Sequence, residues 1–270
     1  MKPQLTLSCS VTKSHLKEFL FLKFTAELYH KCIWFLSCDE YCFNILKDIN
    51  NCSCELAEME DGKVFGSKEE ISNFYNVIQG KFSAARRAIT EMGSVLMVDS
   101  DIVFCGCVDE LLSRTTPHDA QLSPHFQWNS SMDDAWGLYN VGFVLVRSLD
   151  LLDEWEMITK SGEYEFEQVP IQKTQETGKY SCLVIPVNHN MGWWRFNNQQ
   201  SKFRVNSFGF NNKQLLFDGH KVTSFHFHSF VECQHSKPFK EMVFEHLIPN
   251  MEFGQEMIEQ YNILKETNYG

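Results

Sequence analysis

Ser94-Val95-Leu96-Met97-Val98-Asp99-Ser100-Asp101-Ile102-Val103-Phe104 is the stretch that decides the fold. Four apolar residues run into two acids separated by a serine, and apolar residues then resume. A run apolar on both faces reads as a parallel strand covered by helices on each side. Asp99 and Asp101 then stand at its carboxyl end, where open α/β sheets bind their ligands. Carboxylates so close together suit a hard divalent cation that also holds phosphate oxygens. An Asp-x-Asp triplet carries little weight alone in an acidic chain; its place after a hydrophobic strand gives it weight.

The residues upstream extend this into an α/β pattern. Leu5, Leu7, Cys9 and Val11 alternate with polar residues as a first strand, Thr12–His15 is a loop, and Leu16–Leu28 has helical period. Cys32–Leu36 is a second strand, ending at Cys38-Asp39-Glu40. This β-loop-α-β opening is that of a Rossmann-like nucleotide-binding half, which makes Thr12, Lys13 and Asp39 candidate nucleotide contacts. Ser67-Lys68-Glu69-Glu70 is a capping box for a helix that Gly80 should stop, and a second helix is expected over Phe82–Met92. Arg86 falls on the apolar seam of that second helix, where a cation needs an anionic partner, so it is a candidate phosphate contact.

Downstream, Ala120–Ser123 reads as a strand ended by Pro124, and His125–Asp134 as a substrate-facing loop. Tyr139–Arg147 is a strong strand in which Asn140 and Gly142 mark a close backbone approach by ligand. Leu149–Thr159 is a helix, and Pro170 should limit any helix in the acidic stretch Glu163–Gln172. Cys182–Val187 reads as a buried strand, and Trp193-Trp194 as a sugar platform or a core plug. Val222–His228 is a last strand with His226 and His228 on one face, followed by Lys237 and a closing helix from about Met251.

With 270 residues and 43% hydrophobic composition, including 23 Phe, the chain can bury a large core. Its formal charge of -11 argues against nucleic acid as the main partner. No apolar stretch approaches the ~20 residues that span a bilayer, and Lys17, Glu18 and Lys23 interrupt the most apolar segment, so no transmembrane segment is expected. The ten cysteines form no Cys-x-x-Cys pair and read as reduced thiols of a soluble, cytoplasmic protein.

In order along the chain, the motifs resemble those of GT-A fold glycosyltransferases, nearest to the glycogenin-like and nucleotide-diphospho-sugar transferase families. Val95–Phe104 resembles their strand and metal-binding Asp-x-Asp, and Asn140-Val141-Gly142-Phe143 their Asn-x-Gly strand. Glu167-Gln168 resembles an Asp-Gln pair beside the reacting sugar, with Glu in place of Asp. Phe225–His228 followed by Lys237-Pro238-Phe239 resembles a late metal-binding His and a Lys that contacts phosphate, at longer spacing.

The resemblance implies an α/β fold of GT-A type, a mixed Rossmann-like central sheet flanked by helices in one domain. About 1–105 would form the nucleotide half and about 106–270 the acceptor half. It implies Mn²⁺ or Mg²⁺ on Asp99, Asp101 and His226 or His228, with Ser100 and Lys237 among the donor contacts. The donor would be a nucleotide-diphosphate sugar and the acceptor a glycan or other glycoconjugate. Gln168 would lie near the anomeric carbon if configuration is retained; Glu167, Asp133 or Asp134 would be general base if it is inverted. A nucleotidyltransferase and a non-catalytic nucleotide-sugar-binding module are the alternatives. The first is disfavoured by a glycine-free loop after strand one.

Overall fold

The computed structural model describes residues 2–60, 68–112, 118–125, 136–164, 166–196 and 205–269. Its centre is a seven-stranded sheet. The strands are β1 (Gln4–Val11), β2 (Lys31–Cys38), β3 (Cys52–Leu56), β4 (Val95–Val98), β6 (Ala120–Pro124), β7 (Tyr139–Val146) and β8 (Cys182–Val184), in the order β3-β2-β1-β4-β7-β6-β8. The β5 label belongs to Ile102–Phe104, outside this sheet. β3, β2, β1 and β4 run parallel, whereas β7 is antiparallel to both β4 and β6, so the sheet is mixed.

The double-sided apolar run has the expected cause. Leu96 and Val98 face one core with Leu5, Leu7 and the helix α1 (Leu16–Tyr29). Val95 and Met97 face the other, with α3 (Lys68–Met92) and α5 (Leu149–Lys160). Between them in sequence lie the short helices α2 (Glu40–Leu46) and α4 (Asp109–Leu112).

The opening stretch is two strands, not one. β4 ends at Val98, the chain turns through Asp99–Asp101, and β5 joins a second sheet in the order β5-β13-β9. There β9 is Met191–Gly192 and β13 is Ser224–His226, antiparallel to β5 with Ile102 opposite His226. The two acids occupy the crossing between sheets. That places them beside the histidines of a strand some 125 residues later.

Other expectations need correcting. Gly80 does not stop a helix: Lys68–Met92 is one 25-residue helix. Gly80 instead lets α3 press on the sheet, because a Cβ there would lie 3.0 Å from both Ser10 Oγ and Ser37 Oγ. The polar side of β1 is accordingly buried, with Ser8 and Ser10 beneath the helix. Pro170 sits in the first turn of α6 (Gln168–Glu176), where its missing N–H costs nothing. β8 is a half-exposed edge strand, not a buried one.

The remaining elements are a meander of β10 (Phe208–Asn211), β11 (Gln214–Phe217) and β12 (His220–Lys221), and the helices α7 (Lys237–Met242) and α8 (Gly254–Glu266). Sequence reasoning left residues 208–221 unassigned. Asp218-Gly219, both at positive φ, carries the hairpin signal that would have found the second turn. These elements pack with β5 and β13 in a third core of Phe21, Phe225, Phe227, Phe239 and Met257. Among the described residues, no helix is long and apolar enough to cross a membrane.

Candidate functional site

A cavity of about 510 Å³ opens at the carboxyl end of β1 and β4, inside the roughly 300–1,000 Å³ range of small-molecule sites. Its floor is built from four segments that the topology brings together. The β4–β5 turn supplies Asp99, Ser100 and Asp101; β7 supplies Asn140 and Gly142; β13 and the residues after it supply His226 and His228; the start of α6 supplies Glu167 and Gln168.

Asp101 is buried between the two histidines. His226 Nε2 lies 3.1 Å from its Oδ1 and His228 Nδ1 lies 3.2 Å from its Oδ2. Burial alone would push the Asp101 carboxyl up, but His226 and His228 hold it well below the usual carboxylate range. His226 shows the reciprocal effect: burial pushes the imidazole down and the Asp101 charge outweighs it, raising it. One oxygen each from Asp99 and Asp101 and one nitrogen from His226 all lie within 4.8 Å of one another. Gly142 makes room for this cluster, since a Cβ there would stand 2.5 Å from Asp99 Oδ2 and collide with the His226 ring.

Among the described residues, the buried lysine that lines the cavity is Lys81, which sequence reasoning missed. Its Nζ lies 2.7 Å from Asp99 Oδ1 and 2.9 Å from Glu167 Oε1. Burial pushes the ammonium down, yet the two carboxylates outweigh it and raise it above the ordinary lysine value. The expected break at Gly80 concealed Lys81. Read as one helix, Phe74, Val77, Ile78 and Lys81 share a face at i, i+3, i+4 and i+7, and all four line the cavity. Arg86, the cation chosen from sequence, instead pairs with Asp153 and Glu156 of α5, outside the cavity.

Two amides point to a ligand. Asn140 Oδ1 accepts from Gly142 N and from Asn190 Nδ2, which leaves its own amide nitrogen uncommitted among the described residues. Gln168 Oε1 is buried without a hydrogen-bond partner among the described residues, an arrangement that native proteins rarely leave unfilled. Aromatic residues rim the cavity. Trp136 stacks on Phe166 at 4.4 Å, and Trp194 packs edge-on against both His125 and His226, at 5.2 and 4.9 Å. His125, the first residue of the loop expected to face substrate, lines the cavity, and His15, Trp136 and Phe166 are further lining residues that the sequence did not single out.

The remaining expected contacts are dispersed. Thr12 lines the cavity, where its Oγ1 lies 3.2 Å from His15 Nδ1. Lys13 and Asp39 line a second hollow. There Asp39 is committed to backbone, accepting from Lys13 N at 2.6 Å and capping α2 through Cys42 N at 2.7 Å. Lys237 is on the surface, 3.8 Å from Glu241. Asp133 and Asp134 lie outside the described residues.

A second cluster, His30, Cys107 and Asp109, also brings metal-ligand atoms together. Its hydrogen bonding argues against that use. His30 Nε2 accepts from Val108 N, and burial pushes the imidazole down to about 4. The neutral ring then carries its proton on Nδ1, facing Cys107 Sγ, and no lone pair is left for an ion.

No family model and no curated relative matches the sequence. Solved structures match the fold. The galactosyltransferase LgtC, crystallised in complex with donor and acceptor sugar analogs, superposes at a TM-score of 0.59 and 11% identity over 98% of both chains. The apo structure of the bifunctional glycosyltransferase WbbM matches 96% of this chain and 52% of its own, at 0.54 and 9%. Apo mouse xyloside xylosyltransferase 1 matches 83% of this chain and 97% of its own, at 0.51 and 13%. The chain has the GT-A glycosyltransferase fold.

Proposed function

We propose that the chain is a metal-dependent glycosyltransferase that moves a sugar from a nucleotide-diphosphate sugar to a carbohydrate or glycoconjugate acceptor, with retention of configuration. The observation that carries this reading is the cluster of Asp99, Asp101 and His226 under Gly142, at the sheet end of a GT-A fold.

The cluster fits a divalent cation. Two carboxylates and an imidazole supply oxygen and nitrogen donors, the missing Cβ of Gly142 leaves the space, and the nitrogen donor favours Mn²⁺ over Mg²⁺. Bound there, the ion would supply the positive charge that stabilises a departing nucleoside diphosphate. Donor nucleotide would enter over the half formed by about 1–105, and acceptor over about 106–270.

The protein's own groups have distinct parts. Gln168 Oε1, a buried acceptor without a partner among the described residues, suits a hydroxyl of the transferred sugar beside its anomeric carbon. The uncommitted Asn140 amide suits another hydroxyl of donor or acceptor. Lys81 ion-pairs with both Asp99 and Glu167 and fixes the two carboxylates in place. Retention is favoured because, among the described residues, the acids lining the cavity are all engaged, Asp99 and Glu167 with Lys81 and Asp101 with the histidines. The acceptor oxygen then attacks the anomeric carbon as its bond to the diphosphate breaks. Its proton passes to a diphosphate oxygen of the leaving group. The rim aromatics can exclude water and stack on apolar sugar faces.

The test is turnover of nucleotide-diphosphate sugars with Mn²⁺, by transfer or by hydrolysis, in the wild type and in Asp101→Ala. Turnover is expected in the wild type alone, with the same circular dichroism for both proteins. Full activity in Asp101→Ala sinks the assignment, and a product of inverted anomeric configuration by NMR sinks retention.

A further inference from the structure

Glu18 is a buried acid that the chemistry above does not use. It lies in the first turn of α1, 1% exposed, and its carboxylate accepts three successive backbone N–H groups from the far end of the chain. Ser229 N donates to Oε2 at 3.0 Å; Phe230 N and Val231 N donate to Oε1 at 2.8 and 3.0 Å. Successive N–H groups converging on one point form an anion-binding nest, and here the protein's own carboxylate fills it. The same segment is gripped from its carbonyl side. Lys240 Nζ and Tyr261 Oη each donate to Ser229 O at 3.3 Å.

The location gives this clasp its meaning. Ser229 directly follows His228, whose Nδ1 faces Asp101, and His226 stands two residues earlier. β13 pairs in register only through Ser224–His226, and Phe227 N adds one bond to Asp101 O at 3.1 Å. His228 therefore lies past the end of the ladder. Beyond it, Glu18 holds the next three residues to a helix of the first half of the chain. Filling space at this position needs only a leucine. Burial pushes the Glu18 carboxyl up to about 7 and the Val231 and Phe230 N–H groups draw it back. An acid at this place is justified by the three donors that would otherwise be buried without an acceptor.

We infer that Glu18 is a positioning residue for the metal-binding segment: by clamping residues 229–231 to α1 it fixes His226 and His228 against Asp101. The inference rests on the metal-dependent reading proposed above. Outer partners that orient metal ligands contribute about 10- to 100-fold to metal affinity. Glu18→Gln keeps the shape but replaces one accepting oxygen with an NH₂ that faces an N–H donor.

The experiment measures Mn²⁺ affinity directly, from the free-ion electron paramagnetic resonance signal, in the wild type, Glu18→Gln and Leu152→Ala. The last variant loosens the core under α5, on the opposite side of the sheet from α1, and controls for simple loss of stability. Mn²⁺ binding at least about tenfold weaker is expected in Glu18→Gln, with the affinity of Leu152→Ala unchanged. An unchanged affinity in Glu18→Gln overturns the inference and leaves the metal reading standing. A wild type that binds no Mn²⁺ overturns both. Hydrogen exchange in the wild type supplies a second test that needs no folded variant. Coupling is reciprocal, so Mn²⁺ must slow exchange of the Ser229, Phe230 and Val231 amides, and exchange that ignores Mn²⁺ contradicts the clamp.

Discussion

Lys81 Nζ stands 2.7 Å from Asp99 Oδ1, which puts the cavity's buried ammonium on the first acid of the Asp-x-Asp turn. The same nitrogen reaches Glu167, so one helix residue ties the end of β4 to the start of α6.

Removing that ammonium leaves two carboxylates facing each other without a cation. Lys81→Met should therefore cost about 3–5 kcal/mol, the usual penalty for breaking a buried ion pair from one side. Urea denaturation of the metal-free protein measures it. Added Mn²⁺ should recover more stability in the variant than in the wild type, because it returns positive charge beside Asp99. Unaltered stability in Lys81→Met would show that the two acids do not need the lysine.

Gly142→Ala should abolish Mn²⁺ binding without unfolding the protein. The new Cβ would stand 2.5 Å from Asp99 Oδ2 and strike the His226 ring. Gly209→Ala is the matched control, with nothing within 4 Å of its added carbon. Calorimetric Mn²⁺ titration of the two variants decides the point; equal binding in both means that the cradle around Gly142 is not the metal site.

Gly80→Ala opposes local propensity to packing. In a helix interior the exchange gains about 1 kcal/mol. Here the methyl would lie 2.6 Å from Met59 Sδ and 3.0 Å from two serine hydroxyls, and overpacking of this kind costs about 1–3 kcal/mol. A lower melting temperature is expected. A rise would mean that α3 can lift from the sheet at little cost.

The motifs that sequence reveals are those whose signal is local. The double-sided hydrophobicity of Val95–Val98 identified a strand with helices on both faces, and the two acids that follow it marked the site. His226 and His228 were recognised by alternation, and their meeting with Asp101 depends on pairing across about 125 residues that no local pattern encodes. Gly80 misled because glycine carries two meanings, helix stop and close approach, and only the serines beneath it separate them. Arg86 was chosen over Lys81 for the same reason. A helix read as two pieces hid the face that reaches the cavity. Glu18 gave no sign at all, since its partners are backbone groups.

Acid stability should bear the mark of His30. Burial depresses its imidazole from the ordinary 6.5 to about 4, so between those values the unfolded chain binds a proton that the folded protein does not. Stability is therefore full above about pH 6.5 and falls as pH drops toward 4, by at most about 1.4 kcal/mol per pH unit for this one group. His125, pushed down to about 3 chiefly by burial, acts in the same direction. His30→Gln should flatten the slope of stability against pH by up to one proton over that window. An identical slope would show that His30 remains protonated when folded.

The central claim is that Asp101 and its neighbours form a metal-dependent site for a nucleotide-diphosphate sugar. Its most direct test is thermal melting of the wild type and Asp101→Ala with a set of nucleotide-diphosphate sugars, each with and without Mn²⁺. A ligand that binds only the native state raises the melting temperature by mass action. At least one donor should raise it in the wild type only when Mn²⁺ is present, and none should do so in Asp101→Ala. No Mn²⁺-dependent shift with any donor, or the same shift in Asp101→Ala, would contradict the claim.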